Sequence, residues 1–264
     1  MKKIVSMLMA LVLLLSCGAF AAAESENGIL GEWHLSEIEL GSGTVISPYD
    51  ILELVTLTLN EEGMSTYDMT THFRSGVLDC IWGEKDDAYT LTFIDGETVH
   101  DMTYEVVDGV ERLLISKGTR TDIFTREAPE GEEIRVTAAA TNLAPSDFDG
   151  TWVGVAYLVY DELLYMSTSL MNQTLYYEIA DTYVTNFGVD NATGERTDFY
   201  TAENAEFSTS NDVSMLLTNA SEYLSLHVDG SMVVSVNDAN EMLICRRLTA
   251  EEIAELPAST EVEE

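Results

Sequence analysis

The sequence predicts an all-β protein: two tandem small antiparallel β-barrels after a signal peptide. Three observations carry that prediction. The chain opens with an export leader, its landmarks recur 119 to 121 residues apart, and apolar and polar residues alternate with a period of two inside each copy.

The leader comes first. Lys2 and Lys3 give a positive start, residues 4–15 are an almost unbroken apolar run, and small residues fill 16–23 apart from Phe20. That order is the layout of a secretory signal peptide. The run is shorter than the roughly 20 residues a spanning helix takes, and no later segment is long and apolar enough to span. Residues 1–23 are therefore read as a signal peptide, and the mature protein as secreted or extracytoplasmic. Two cuts compete. Ala21-Ala22-Ala23 before Glu24 fits ordinary signal peptidase. Leu14-Leu15-Ser16-Cys17 resembles a bacterial lipobox, in which Cys17 would be lipidated and anchor the protein to a membrane without altering its fold.

Charge narrows the partners. The chain has 47 acidic and 12 basic residues, a formal charge of −35. Loss of Lys2 and Lys3 with the leader takes it to −37. Such a field repels phosphate backbones, so nucleic acid is excluded as a partner. It reads as an acidic secreted surface, or as one that meets cations or a basic partner. After the leader only Cys80 and Cys245 remain, one in each copy and at unmatched places. They read as two small buried residues or as a bridge, which an oxidising compartment permits.

The duplication rests on order as well as spacing. Trp33 and Trp152 are 119 apart; Asp108-Gly109 and Asp229-Gly230 are 121 apart; Phe124-Thr125-Arg126 and Cys245-Arg246-Arg247 are again 121 apart. Three landmarks in one order define two copies, at 28–126 and 148–248. Between them, 127–147 is small, polar and Pro-bearing, as a linker is. After them, 249–264 holds a capping-box pattern, Thr249-Ala250-Glu251-Glu252, which predicts a short helix through Glu255 before an acidic tail.

Within the copies, Val55, Leu57 and Leu59 alternate with Thr56, Thr58 and Asn60; Leu224, Leu226 and Val228 alternate with Ser225, His227 and Asp229. Such patterns are strands with one buried face. Asp108-Gly109, Asp229-Gly230 and Asp95-Gly96 read as type I′ hairpin turns. Each copy holds about seven or eight strands, with helical signal only at residues 48–54 and 160–170. That many antiparallel strands hide their edges best by closing into a barrel. The cysteine pair around a tryptophan that marks many sandwiches is missing.

Gly31-x-Trp33 and Gly150-x-Trp152 open the first strand of each copy, and Arg126 and Arg246 or Arg247 sit on the last, 93 to 95 residues later. This arrangement resembles the lipocalin (calycin) family, in its compact bacterial form. The resemblance implies that Trp33 and Trp152 pack across the closed end of each barrel beneath Arg126 and Arg247. Glycine allows the tight bend, the indole fills the floor, and a guanidinium can stack on its face. The family's mid-domain Thr-Asp-Tyr-like turn has no clear counterpart; Thr197-Asp198-Phe199 is a loose echo.

No G-x-S-x-G elbow, H-E-x-x-H pair, phosphate-cradling loop or C-x-x-C occurs, so no enzyme, no metal and no cofactor is expected. His34, His72, His100 and His227 are scattered. Glu37 and Glu39 share the strand parity of Trp33 and read as rim carboxylates in water. The 190–194 run lacks an EF-hand's ligands and reads as a hairpin loop. A ligand cavity has one expectation: Gly154 and Ala156 follow Trp152 on its face and leave room, with Met166, Met171, Tyr176 and Tyr177 to line a pocket for a small hydrophobic molecule. The alternative is a pair of filled barrels forming a non-catalytic structural or interaction module that contacts a protein or cell-surface partner. An interior cavity of at least roughly 300 Å³ separates the two.

Overall fold

The computed structural model describes residues 28–85, 88–94, 98–160, 162, 164–210, 212–218, 220–236 and 240–258. The segment read as a leader, with Cys17, and the turn expected at Asp95-Gly96 lie outside the described residues. The fold is all-β, as two tandem antiparallel barrel-like sheets.

The first sheet contains β1 (Gly31–Leu40), β2 (Val45–Ile46), β3 (Glu53–Leu59), β4 (Met64–Thr71), β5 (Ser75–Lys85), β6 (Ala88–Phe93), β7 (Val99–Val107), β8 (Val110–Lys117) and β9 (Arg120–Thr125). They lie in the order β2-β1-β3-β4-β5-β6-β7-β8-β9, and β9 returns to pair with β1. Eight strands thus close a barrel, with β2 as a short flap on β1. The inward residues of β3, Val55, Leu57 and Leu59, join Trp33, Leu35, Ile38, Leu91, Leu113, Ile115 and Phe124 in one core.

The second sheet contains β10 (Gly150–Val159), β11 (Leu164–Ser167), β12 (Gln173–Ala180), β13 (Tyr183–Asp190), β14 (Arg196–Ala202), β15 (Glu206–Ser210), β16 (Val213–Leu217), β17 (Glu222–Leu226), β18 (Met232–Val236) and β19 (Glu241–Arg247). Its path runs β14-β13-β12-β10-β19-β18-β17-β16-β15, with β11 as the flap on β10. The two path ends are consecutive in the chain. In the first copy, β5 pairs with β4 through its first part and with β6 through its second. In the second copy, residues 203–205 split the corresponding strand, so β14 pairs only with β13 and β15 only with β16. The sheet curls but its ladder does not close.

A β-bulge shapes both copies. The register of β1 on β9 shifts between Leu35 and Glu37, and that of β10 on β19 shifts between Gly154 and Ala156. One extra residue reverses the parity of everything after it. Trp33 and Leu35 face the core, and after the bulge Ile38 does so, which leaves Glu37 and Glu39 on the other face. Glu37 and Glu39 are therefore not inward despite their spacing from Trp33.

Turns and caps follow local chemistry. Asp108 and Gly109 have φ of 52° and 84°, the two positive values a type I′ turn needs. At Asp229-Gly230 only the glycine is positive, at 84°. There the chain makes a wider turn, with His227 N donating to the Ser231 carbonyl and Gly230 N to that of His227. Thr249 caps α1 (Ala250–Glu255) in a capping box with Glu252. Pro48–Asp50 and Thr168–Leu170 are short 3-10 turns, so the helical signal at 160–170 resolves mostly into β11.

The connecting segment is docked to both barrels. Tyr49 donates to the Pro129 carbonyl, Arg135 donates to the carbonyls of Thr71 and His72, and Ala139 and Thr141 bridge to His227 and Val213. Ile134 and Val136 pack on a second apolar cluster with Leu52, Phe73, Ala156, Leu158, Tyr165, Val233 and Ile244. This cluster joins the rim of the first barrel to the outer wall of the second. Polarity alone does not reveal it, because only two aliphatic residues of the linker, Ile134 and Val136, pack into this cluster.

Candidate functional site

The closed ends are alike in both copies. Gly31 and Gly150 have φ of 106° and 131°, values an L side chain rarely adopts, and they bring the chain in under the barrel. The indole N–H of Trp33 donates to the Ile29 carbonyl at 2.7 Å, and that of Trp152 to Phe148 at 2.9 Å. Arg126 lies 3.6 Å over the Trp33 ring and Arg247 lies 4.5 Å over Trp152. Each guanidinium also donates to the chain just before the strand, at Gly28 and Asp147. Arg246 instead points away and pairs with Glu252. Both tryptophans are fully enclosed, so these groups are floors of the barrels.

The six residues expected to line a pocket in the second barrel are not brought together. Gly154 faces inward, but Leu243 occupies the space beside it: a Cβ there would meet Leu243 Cδ1 at 2.9 Å. Ala156 lies beyond the bulge and packs in the outer cluster with Leu158 and Ile244. Tyr176 lies outside too, stacked on Phe187 at 5.0 Å, with Arg196 on the far face of that ring's neighbourhood, 3.6 Å from its centre. Met166 pairs across from Tyr157 on the β11 flap, and Met171 follows the 3-10 turn. Only Tyr177 joins the inner core.

Tyr177 leads instead to a buried polar group that the motifs missed. Its hydroxyl donates to Glu222 at 3.2 Å, and the Tyr200 hydroxyl donates to the other oxygen of the same carboxylate. Burial pushes Glu222 above the usual carboxylate range, against the two hydrogen bonds that favour its charge. Burial, with Glu222 nearby, raises both phenols. The signal was strand parity, since Leu226 and Leu224 point inward and Glu222 is two residues earlier. Near the rim, Tyr157 donates to Glu241 and is raised to about 12 by burial and that carboxylate.

The first barrel carries its charges at the end away from Trp33. Asp122 is fully buried, 2.6 Å from Lys117 Nζ and paired with Arg120. Arg120 also grips Glu53 with two hydrogen bonds of 2.9 and 2.7 Å, and Lys117 donates to the Tyr67 hydroxyl at 2.8 Å. Burial works against charge on Lys117 and Arg120, yet Tyr67, Asp122 and Glu53 outweigh it and raise both. Alternation with Phe124 places Asp122 and Arg120 inward. The network is mutually neutralised, which suits a mouth tied shut rather than a reactive centre.

Clefts lie outside the barrels. Five of them, of about 270 to 460 Å³, are lined mostly by outer-face, rim, linker or α1 residues, with the core residues Leu35 and Val55 reaching one and Cys245 another. One, of about 380 Å³, opens between the barrels and is lined by Ile51, Glu53, Thr71, His72, Phe73, Arg74, Leu164 and Tyr165. His72 and Tyr165 stack at 5.5 Å, and neither His72 Nδ1 nor the Tyr165 hydroxyl has a hydrogen-bond partner although both are buried. Burial and Arg135 lower His72; burial and Asp50 raise Tyr165 to about 12. Between Ile51 and Glu53, Leu52 is held at φ 45°, a strained conformation of order 1–3 kcal/mol. Among the described residues, no group of three or more His, Cys, Asp or Glu side chains is placed to hold a metal ion. His34 instead contacts Glu32 and Thr56, and His100 the Ser116 carbonyl. Cys80 and Cys245 are buried in separate cores and unpaired. No helix among the described residues is long and apolar enough to cross a membrane.

No protein-family description matches this chain, and no curated protein matches it. Among solved structures it is similar to a protein of unknown function from the DUF3598 family of Nostoc punctiforme. The identity is 10%, the match covers 83% of this chain and 96% of that one, and the TM-score is 0.22.

Proposed function

We propose that this is an extracytoplasmic, non-catalytic interaction module built on two filled, lipocalin-like barrels, which meets a protein or cell-surface partner through its outer faces. One observation carries the reading: the space expected beside Gly154 is filled by Leu243. The Trp33–Arg126 and Trp152–Arg247 floors support the lipocalin-like likeness, which here concerns how a barrel is closed rather than what it carries. The charge of −35 favours a partner bearing Lys and Arg. The leader supports export, with Cys17 as an anchor if the lipobox is used.

An apolar cargo inside a barrel is the competing reading, and in the second barrel it requires the space beside Gly154 that Leu243 occupies. The two are separated by organic extraction of the purified exported protein followed by mass spectrometry. The proposal expects no non-covalently held apolar molecule in stoichiometric amount. A single lipid or other hydrophobe recovered at about one per chain would overturn it.

A further inference from the structure

We propose that the cleft between the two barrels is a binding site for a small apolar carboxylate. The walls have the two halves such a ligand needs. Ile51, Phe73 and Leu164 supply apolar surface, and Arg74, His72, Thr71 and Tyr165 supply polar groups beside it. A volume of about 380 Å³ lies within the range of small-molecule sites, which favour domain junctions.

Two independent features point to an anion. First, the Tyr165 residue is only 4% exposed, and no protein atom accepts from its hydroxyl. Buried hydroxyls are normally satisfied, and a carboxylate entering beside it brings an acceptor. Second, Arg74 forms no ion pair among the described residues; its backbone alone is tied, to Thr71. A guanidinium suits planar, two-point recognition of a carboxylate. The other basic residues near the cleft are already paired. Arg74 lines the cleft, Arg135 is bonded to Thr71 and His72, and Arg120 and Lys117 stand behind Glu53. Arg135 is paired with Glu133, Arg120 with Glu53 and Asp122, and Lys117 with Asp122, so these three cations are balanced where they stand. Of the carboxylates nearby, Glu53 is held by Arg120 and Glu133 by Arg135, Asp50 accepts from Ser47 N and the Ser169 hydroxyl, and Glu132 adds a further negative charge near Tyr165. Arg74 is the cation left for a ligand.

The site is distinct from any barrel interior and does not rest on the filled-barrel reading. The test is calorimetric titration of the exported protein with phenylacetate and hexanoate, and with phenylacetamide as the uncharged match. The proposal expects saturable binding of at least one acid at one site per chain, with the amide at least about tenfold weaker, as a lost charge-assisted hydrogen bond implies. Arg74→Gln should weaken the acid about tenfold or more. Tyr165→Phe, which keeps the ring stack, should weaken it about threefold or more without lowering the melting temperature. No saturable heat from either acid up to about 10 mM, equal affinity for acid and amide, or unchanged affinity in both variants would each overturn it. An apolar molecule recovered from a barrel would overturn the filled-barrel reading alone and leave this one standing.

Discussion

The two barrels share their floors and differ in their interiors. At the floor the same contacts recur between residues 119 and 121 apart: indole to the carbonyl four residues back, guanidinium over the ring, guanidinium to the chain before the strand. Even the bulge falls at the same step, after Leu35 in one copy and after its counterpart Gly154 in the other. Above it the copies part. Ile38 pairs with Asp122, whereas the matching Tyr157 pairs with Leu243. Phe124 fills beside Leu35; the matching pair is Cys245 beside Gly154. The first barrel is thus apolar below and ionic at its mouth, and the second places Glu222 between two tyrosines in its middle. A floor has one workable geometry for a wide strand-lined end, while an interior can be filled in many ways provided volume and hydrogen bonds balance.

The comparison can be broken most forcefully at the floors. Trp33→Ala and Trp152→Ala should each cost about 3–5 kcal/mol, the usual price of removing a large buried aromatic, measured by chemical denaturation. A large loss at one and none at the other would show that the floors are not equivalent. Asp122→Ala comes next. It leaves Lys117 and Arg120 with an uncompensated buried charge and should cost roughly 3–5 kcal/mol, whereas Leu243→Ala at the matching place loses only packing, about 2–5 kcal/mol. High pH separates the two: Asp122 helps to raise Lys117, whose contribution to stability is lost as pH climbs through its folded value, so only the Asp122 variant should change the alkaline limb of unfolding.

Gly154→Ala is a smaller effect, about 1–3 kcal/mol from overpacking against Leu243. A neutral or stabilising result would mean that the second barrel has room to spare. Smallest is Glu222→Gln. Glu222 has a folded pKa above its unfolded value, so the folded protein binds the extra proton, and stability rises as pH falls from the folded pKa toward the unfolded one. His72, whose pKa is lowered, acts oppositely as pH falls below its unfolded value. The difference between wild type and Glu222→Gln cancels that common term. The variant should be at least as stable at pH 7, and its advantage should shrink on acidification toward pH 5. An advantage that grows instead would contradict the burial of a charged Glu222.

Much of this was legible in the sequence, for definable reasons. The repeat, the strands and the floor residues follow from period-two alternation and from spacing, which are local signals. Arg247 rather than Arg246 follows from parity on the last strand. What was not legible turned on one inserted residue. A bulge leaves no composition signal at Ser36 or Val155, yet it sends Glu37, Glu39 and Ala156 to the opposite face from Trp33 and Trp152. The pocket expected beyond Trp152 dissolves for that reason, and because Leu243 reaches into the space a glycine leaves. Glu222 and Asp122 were readable by parity, but among 47 acids nothing marks the buried ones. The cleft between the barrels was out of reach, since His72 and Arg74 come from one copy and Tyr165 from the other, and no local signal pairs the two.

The central claim is that both barrels are filled, and titration with the neutral fluorescent probe N-phenyl-1-naphthylamine tests it most directly. The account predicts no saturable enhancement in the wild-type protein, with a binding signal appearing only once a floor is opened by Trp33→Ala or Trp152→Ala. Saturable binding of about one probe per barrel to the wild type would contradict it.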